Sequence, residues 1–427
     1  MKEIQLKKID EVLYYEKLDN GLPVYMLENK EVNHFYMTFT ARYGSVDTDF
    51  KIGDKEYNVP NGIAHFLEHV NFNLEDGKTA HELFNKLGSH INAFTTFDFT
   101  SYEVVSNTHF EENLNLLLDY VQKPVFTDDL IEKEKGIIIE EVKMGKNNPG
   151  HKLYYGSNKA LFKKDKRRNF VTGEVKDVKN TSTEDIKLVF DTFYHPENMF
   201  LIITGNFDKD DAIRIVKENQ EKKRFPKYRK PVILKETEPK SINNKYKQIE
   251  CNLEIPKCKI SYKMDRKIFK KYSNPLLNIY TSIILNSNFG NTSLLREELL
   301  EKDLLTYIGT SRDNSNDLLV ISITFESRNP EKVIPIIEDK MKNLKVTKEE
   351  LRRKAKGKIA NLIYYYDDIE YVNTDIMDQL IYNGDIIDNY YDIYNNLKIE
   401  ELNEIISLLD FSNPSIVELI PYKKELK

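Results

Sequence analysis

The chain is poor in cysteine and contains no long apolar stretch. Cys251 and Cys258 are its only two cysteines among 427 residues, and their spacing matches no zinc-binding motif. Without a secretory signal both thiols are expected to stay free. No run approaches the roughly 18 apolar residues that a membrane-spanning helix needs, and the N-terminal segment lacks the apolar core of a signal peptide. These absences predict a soluble, cytoplasmic protein without a membrane partner.

An excess of one charge is also missing. The 63 lysines and arginines nearly balance the 69 aspartates and glutamates, which leaves a net charge of −6. The basic residues are dispersed except for a run at 222–230. Because Pro226, Pro231 and Pro239 lie in or beside this run, we interpret it as a solvated linker and not as a binding patch. Nothing in the composition indicates nucleic acid, and the length predicts at least two domains.

The most specific local pattern is His65-Phe66-Leu67-Glu68-His69, an H-x-x-E-H arrangement. Residues four apart lie on the same face of a helix, so His65 and His69 can reach one metal ion. Glu68 lies beside them, where a carboxylate can take a proton from a water molecule on the metal. The alternative interpretation is an ordinary solvated helix face, since a pattern with three fixed positions also occurs by chance.

The sequence around the motif favours a helix. Pro60 and Gly62 mark its start, and Asn61 is the candidate N-cap. An apolar stripe follows, which would pack the helix into a core and leave the His/Glu face towards a cleft. The stripe consists of Ile63, Phe66, Leu67 and Val70.

A catalytic zinc ion usually has three protein ligands, so a third one is needed. The segment 131–144 is predicted to be an amphipathic helix with Ile137, Ile138 and Val142 facing inward. Glu134 and Glu141 are seven residues apart and share a face of that helix. Either glutamate could complete the site while the other orients a ligand histidine. An ordinary acidic helix surface is the competing interpretation.

At this point the chain resembles the pitrilysin/insulinase group of zinc peptidases, which includes the mitochondrial processing peptidases. The resemblance covers essentially the whole chain, and its matching segments are HFLEH at 65–69, NAFTTFDFTSYE at 92–103, EKEKGIIIEEVKM at 132–144 and FYHPENMFLIITGNFD at 193–208. It implies that His65, His69 and Glu141 bind one Zn²⁺ per chain. It also implies that Glu68 is the general base. Glu134 is then the carboxylate that contacts a ligand side chain without binding the metal itself.

The same resemblance assigns a substrate-binding role to Asn92, Ala93 and Phe94. It implies that they form an exposed edge strand, to which the backbone of a peptide substrate adds by β-augmentation.

The order of predicted elements repeats at an offset of roughly 210–220 residues. We therefore predict an α+β fold of two homologous units, each an antiparallel-rich sheet backed by helices. The predicted boundaries are 1–220 for the zinc unit, 221–245 for a linker and 246–427 for the second unit. The motif helix has its counterpart at 275–286, where asparagine and tyrosine replace the zinc-binding residues.

The resemblance further implies a clamshell chamber of four such units, of which this half-length chain supplies two. In the family the second half usually bears an arginine and, seven residues later, a tyrosine that grip the substrate. Tyr307 matches the tyrosine, but Leu300 occupies the arginine position. Either Arg296, one helical turn upstream, replaces it through a local shift, or this subunit supplies the zinc while a homologous partner supplies both the arginine and the tyrosine. We favour the heterodimer over a homodimer.

These features predict a zinc-dependent endopeptidase that hydrolyses peptides, leader segments or unfolded segments in an enclosed dimeric chamber. Glu68 is the expected base, and Tyr307 is expected to stabilise the oxyanion. The alternatives are a non-catalytic, peptide-capturing subunit of a heterodimeric peptidase and a maturation factor in which zinc is structural. The intact histidine and glutamate set argues against the first alternative. Zinc with an open coordination position and a removable Glu68 would argue against the second, because structural zinc sites are closed and mostly thiolate-rich.

Overall fold

The computed structural model describes residues 1–7, 11–314 and 317–422, which form two compact units. The first comprises Met1–Lys143, Phe170–Lys235 and Leu362–Asn389, and the second comprises Met144–Asn169, Glu236–Asn361 and Tyr390–Lys427. Both are built from a sheet backed by helices, so the predicted fold class is confirmed. The units are not continuous in sequence, however, and their boundaries differ from a division at 221–245.

The first unit contains a seven-stranded and a three-stranded sheet. Its strands are β1 (Lys2–Leu6), β2 (Glu11–Lys17), β3 (Pro23–Glu28), β4 (Phe35–Ala41), β5 (Asp49–Ile52), β6 (Lys55–Asn58), β7 (His90–Thr95), β8 (Thr100–Ser106), β9 (Met199–Gly205) and β10 (Val232–Ile233). The large sheet has the order β1-β2-β3-β9-β4-β8-β7, and only β3 and β9 pair in parallel. Strand β7 therefore forms one edge of this sheet.

The second unit contains a five-stranded sheet with the order β11-β15-β12-β14-β13. Its strands are β11 (Tyr246–Cys251), β12 (Lys257–Asp265), β13 (Tyr307–Asp313), β14 (Leu318–Glu326) and β15 (Ser415–Pro421). Only β11 and β15 pair in parallel. This arrangement repeats β3-β9-β4-β8-β7 strand for strand, so the duplication in the sequence corresponds to a duplication of topology.

The helices of the described residues flank these sheets. They are α1 (Ile63–Asn71), α2 (Ala80–Lys86), α3 (Phe110–Gln122), α4 (Asp128–Asn147), α5 (Pro149–Leu161), α6 (Val175–Asn180), α7 (Thr183–Phe193), α8 (Lys209–Glu221), α9 (Asn274–Phe289), α10 (Leu294–Glu301), α11 (Pro330–Lys342), α12 (Lys348–Tyr366), α13 (Ile369–Tyr382), α14 (Tyr390–Asn395) and α15 (Ile399–Leu408). No helix of the described part is long and apolar enough to cross a membrane.

Helix α13 explains why a late segment belongs to the first unit. The central strands β4 and β9 are buried along their whole length, which requires cover on both faces of the sheet. Helices α1, α3, α7 and α8 cover one face, and α13 covers the other. The side chain of Asn373 on α13 accepts a 2.6 Å hydrogen bond from Thr38 and donates a 3.3 Å bond to Thr204. These buried polar contacts fix the helix on the sheet.

Helix α5 has the equivalent position in the second unit. It packs against β11, β12 and β15, and its Leu153 and Ala160 contribute to a small core with Val417 and Leu419. The segment 144–169 therefore joins the second unit although it precedes the proposed linker.

The segment 221–245 is more ordered than a solvated linker. Val232 and Ile233 form β10, which pairs with β5. In the other unit the carboxylate of Glu238 accepts backbone N–H bonds from Lys163, Lys164 and Asp165 at 2.9, 2.7 and 2.8 Å. The β10–β5 pairing and the Glu238 hydrogen bonds are not expected of a solvated linker. The proline and lysine content of the segment does not indicate either contact.

Candidate zinc site

Helix α1 presents the two histidines, but it begins one residue later than predicted. Its N-cap is Gly62 and not Asn61, and no side chain caps the helix. Gly62 has φ +83°, and a Cβ atom there would lie 2.4 Å from the backbone oxygen of Thr172. Only glycine fits this turn without strain. The apolar stripe of four residues is buried as predicted.

Helix α4 presents the two candidate glutamates. Ile138 and Val142 are buried, as predicted, whereas Ile137 is 48 % exposed, contrary to prediction. Neighbouring helix positions diverge by about 100°, so Ile137 and Ile138 cannot both face one narrow core stripe. Glu134 is buried, and the side chain of Glu141 is 46 % exposed.

The histidines converge on the Glu141 carboxylate. Nε2 of His65 lies 3.5 Å from Oε1 of Glu141, and Nε2 of His69 lies 3.3 Å from Oε2. One ligand atom from each of the three residues lies within 4.8 Å of the others, the only such group among the described residues. Zinc–ligand bonds of about 2.1 Å in a tetrahedral site require ligand atoms about 3.4 Å apart. The donor set and its spacing therefore fit a zinc ion.

Glu134 contacts the other ring nitrogen of His69. Its Oε2 lies 3.6 Å from Nδ1 of His69, and its Oε1 accepts a 3.4 Å bond from the Asn73 amide. A carboxylate behind a ligand histidine fixes the ring and its tautomer. Their spacing in the sequence did not distinguish the two glutamates. In the structure Glu141 faces Nε2 of His69 and Glu134 faces Nδ1.

The electrostatics of the site favour positive charge. Burial lowers the pKa of His69, but the Glu134 and Glu141 carboxylates outweigh it and raise that pKa to about 9. His65 and His69 in turn hold the pKa of Glu141 well below its usual range. A position that attracts a proton so strongly also attracts a metal cation, which must displace that proton to bind.

Glu68 lies next to the ligands and contacts the edge strand. It is 7 % exposed, and its Oε2 accepts a 2.6 Å hydrogen bond from the hydroxyl of Thr95, the last residue of β7. This contact connects the proposed base to the strand that was proposed to bind substrate. Sequence reasoning did not single out Thr95, although it belongs to the NAFTT segment.

Glu103 also contacts β7, on the face of the sheet opposite to α1. Glu103 on the neighbouring strand β8 accepts a 3.0 Å bond from the Asn92 amide and another from the Tyr36 hydroxyl. Ala93 packs against the core on the α1 side, and Phe94 packs on the opposite side. Sequence reasoning also missed Glu103, which ends the NAFTTFDFTSYE segment.

The remaining predicted site residues belong to the second unit. Tyr307 is the first residue of β13, the edge of the five-stranded sheet, and is 51 % exposed. Arg296 is half-buried on α10, and its guanidinium has no partner among the residues that the structure describes. Leu300 lies one turn further along the same helix and is 37 % exposed. A partly exposed leucine therefore occupies the position at which the family resemblance predicts a substrate-binding arginine.

Two family models and a bacterial relative match large parts of the chain. The family model described as insulinase (peptidase family M16) matches residues 50–171, and that of the peptidase M16 inactive domain matches residues 180–357. The uncharacterized zinc protease YmfH of Bacillus subtilis (strain 168) is 39 % identical over 308 residues, which cover 71 % of each chain.

Solved structures extend the similarity to nearly the whole chain. The crystal structure of an M16-like peptidase from Alicyclobacillus acidocaldarius has 25 % identity and a TM-score of 0.90, and the match covers 96 % of this chain and 98 % of that one. Pitrilysin has 15 % identity and a TM-score of 0.75, and this chain covers 47 % of it. The family models and the relative that is 39 % identical show that the chain belongs to the insulinase family, peptidase family M16.

Proposed function

We propose that this protein is a zinc-dependent endopeptidase that hydrolyses peptides and unfolded or leader segments. The observation that carries the proposal is the convergence of His65, His69 and Glu141, with Glu68 beside them and hydrogen-bonded to an edge strand. A closed structural zinc site would be rich in thiolates, whereas this donor set is typical of catalytic zinc.

The proposed chemistry depends on Glu68. Bound zinc supplies a Lewis acid that polarises a peptide carbonyl and makes water more acidic. The Thr95 hydroxyl donates a hydrogen bond to Oε2 of Glu68. Oε1 is the proposed acceptor for the proton of the attacking water. Glu68 then returns this proton to the leaving amine. Tyr307, from this chain or a partner, is the proposed donor to the oxyanion.

The free edge of β7 is the proposed substrate platform. The N–H of Thr96 bonds to the oxygen of Phe99 at 2.8 Å and continues the β7–β8 register. Hydrogen-bonded pairs alternate along an antiparallel ladder, so the backbone groups of Ile91, Ala93 and Thr95 point away from β8. A peptide that pairs with Ala93 would enter next to Glu68, because Thr95 contacts that carboxylate.

We further propose that the chain acts as one half of a dimer. It covers 47 % of pitrilysin, whose single chain is about twice as long. Leu300 in place of an arginine favours a heterodimer, in which a homologous subunit supplies the guanidinium fork that grips a carbonyl or carboxylate.

The decisive experiment is cleavage of a mixed peptide library by the purified chain beside its Glu68→Gln variant. Both proteins should bind one zinc ion, and only the native chain should cleave, either alone or after a homologous subunit is added. Removing a general base should lower the rate by about 10²–10⁴-fold. A fully active Glu68→Gln variant would refute the assignment of the base.

A second candidate function is that of a peptide-capturing subunit in a heterodimeric peptidase. The exposed Leu300 is the specific observation that favours it. The same experiment separates the two functions. With a homologous subunit added, cleavage that Glu68→Gln abolishes would support the first function, and cleavage that survives this substitution would support the second.

A further inference from the structure

A buried asparagine interrupts the apolar face of the H-x-x-E-H helix. Asn71 is the last residue of α1 and is fully buried, on the side of the helix away from His69. The Asn73 amide caps this end of the helix, because it donates to the carbonyls of His69 and Val70 at 3.3 and 3.4 Å. The Asn71 amide instead donates a 2.7 Å hydrogen bond to the Tyr102 hydroxyl. Helix capping therefore does not explain Asn71.

The hydrogen bonding continues into the elements against which α1 packs. Tyr102 lies on β8, and its hydroxyl bonds to that of Tyr194 at 2.9 Å. Tyr194 directly follows α7, and both β8 and α7 contact α1. Burial raises the pKa of both phenols, so each keeps its proton at neutral pH and can donate one bond. Asn71, Tyr102 and Tyr194 thus connect the motif helix to a strand and to a second helix.

Stability alone does not explain the buried amide. The Oδ1 atom of Asn71 has no hydrogen-bond partner in the part of the chain that the structure describes. A buried amide with one polar atom unpaired costs free energy. Leucine at this position would fill a similar space without that cost, and it would match the apolar stripe of the helix. The asparagine therefore has a role other than filling the core.

The duplicated second unit shows that the fold does not need a hydroxyl at the Tyr102 position. Ser101 on β8 and Ser322 on β14 hold equivalent positions, since each forms a hydroxyl pair with the neighbouring central strand. The next residue along the chain is Tyr102 in the first unit and the fully buried Ile323 in the second. An apolar side chain therefore suffices in the unit that lacks the zinc motif.

Metal binding demands a precision that apolar packing does not supply. Apolar contacts are non-directional and permit small rotations of a helix, whereas a hydrogen bond has a preferred direction. A rotation of about 10° moves an atom at a side-chain radius of about 5–6 Å by about 1 Å. Zinc–ligand distances vary by only about 0.2 Å. A directional bond on the buried face of α1 therefore controls where the imidazoles of His65 and His69 point.

We propose that Asn71 is a positioning residue, which fixes the rotation of α1 through the two tyrosine hydroxyls and so aligns His65 and His69 with the zinc ion. This inference rests on the proposed function, because it assumes zinc at that site. Asn71→Leu should weaken zinc binding about 10-fold, at the lower end of the effect of groups that orient a ligand directly. The same substitution should leave the urea midpoint of the metal-free protein unchanged or raise it, since it removes the unpaired amide oxygen.

Chelator competition measures the zinc affinity of the full-length chain, and urea unfolding after metal removal measures its stability. Tyr102→Phe removes the acceptor of the Asn71 amide and should lower the zinc affinity to a similar extent. Adding Asn71→Leu to Tyr102→Phe should cause little further loss, because both changes remove the same interaction. Tyr120→Phe is the matched control and should bind zinc normally. The Tyr120 ring packs against that of Tyr102, but its buried hydroxyl has no hydrogen-bond partner among the described residues.

The outcomes distinguish this proposal from the proposed function. Native zinc affinity in Asn71→Leu, or an equal loss of affinity in Tyr120→Phe, would overturn the positioning role alone. A lower urea midpoint of metal-free Asn71→Leu would also overturn it, because Asn71 would then act through stability. A native chain that binds no zinc would overturn both proposals.

Discussion

The hydroxyl of Thr95 donates a 2.6 Å hydrogen bond to Oε2 of Glu68 and so joins the edge strand β7 to the H-x-x-E-H helix. The two residues belong to different secondary structure elements and are 27 positions apart. The contact gives one side chain two roles, because Thr95 also ends the strand along which a substrate is proposed to lie.

Replacing Thr95 by valine should lower kcat and change KM little, because the base loses its orienting hydrogen bond while the strand remains. A hydrogen bond to a charged group contributes about 1.5–3 kcal/mol, which corresponds to a decrease of roughly 10- to 100-fold. Thr95→Ser keeps the hydroxyl and should retain most of the activity. Equal rates for the valine and serine variants would show that the contact does not position Glu68.

Replacing Ala93 by proline should raise KM, because proline removes an N–H that points away from β8 and is free to bind substrate. Edge strands tolerate proline where no ladder bond is lost. Ala93→Ser preserves the N–H and is the matched control. Peptide cleavage over a range of concentrations measures the effect, and an unchanged KM in the proline variant would place the substrate elsewhere.

His69→Ala should lose both zinc and activity, because the histidine supplies one of three ligand atoms and also contacts Glu134. Metal analysis of the purified protein should give nearly one zinc per native chain and far less in the variant. His81→Ala, which changes an exposed histidine outside the group of three, should bind zinc normally. Normal zinc content in His69→Ala would contradict the ligand assignment.

Glu134→Gln should weaken zinc binding by about 10- to 100-fold without abolishing it, because the carboxylate orients His69 and does not ligate. Competition with a chelator measures the affinity. Glu132→Gln on the same helix changes an exposed residue that pairs with Lys135, and it should have no effect. Complete loss of zinc from Glu134→Gln would instead make Glu134 a ligand.

Glu238→Gln should destabilise the protein by about 3–5 kcal/mol, because it leaves the Lys263 ammonium buried without its counter-charge. Burial raises the pKa of Glu238, but Lys263 and three backbone N–H groups outweigh it, so the net pKa is lowered. A lowered folded-state pKa contributes stability above the usual value of 4.5, and this contribution disappears as the pH falls through the folded-state pKa.

Urea unfolding measured at several pH values tests this last prediction. The native chain should lose stability in acid more steeply than Glu238→Gln. Glu236→Gln removes an exposed partner of Lys164 and should change the free energy of unfolding very little. Similar urea midpoints for the two variants would show that the buried pair is not important for stability.

Much of this site could be predicted because its signals are local. The positions of His65, Glu68 and His69, and the buried stripe behind them, follow from helical periodicity within nine residues of α1. The face shared by Glu134 and Glu141 follows from the same periodicity on α4. The internal duplication predicted that the two units share one architecture, and both sheets do repeat one arrangement of five strands.

Contacts between segments that are distant in the chain could not be predicted from the sequence. Which glutamate faces Nε2 and which faces Nδ1 of His69 depends on how α4 packs against α1. The Thr95 contact depends on the register of β7, and the unit boundaries depend on where α5 and α13 pack. Thr38 bonds to Asn373, which lies 335 residues away, and no local pattern encodes such a pair.

The sequence by itself therefore determined the candidate zinc ligands of this protein, because ligand type and spacing along a helix are properties of a few adjacent residues. Only the tertiary structure decided the individual roles. It aligned Glu141 with both histidines and placed Thr95 on Glu68. Each of these contacts results from the packing of distant elements, in which burial and hydrogen bonding are satisfied together across the whole unit.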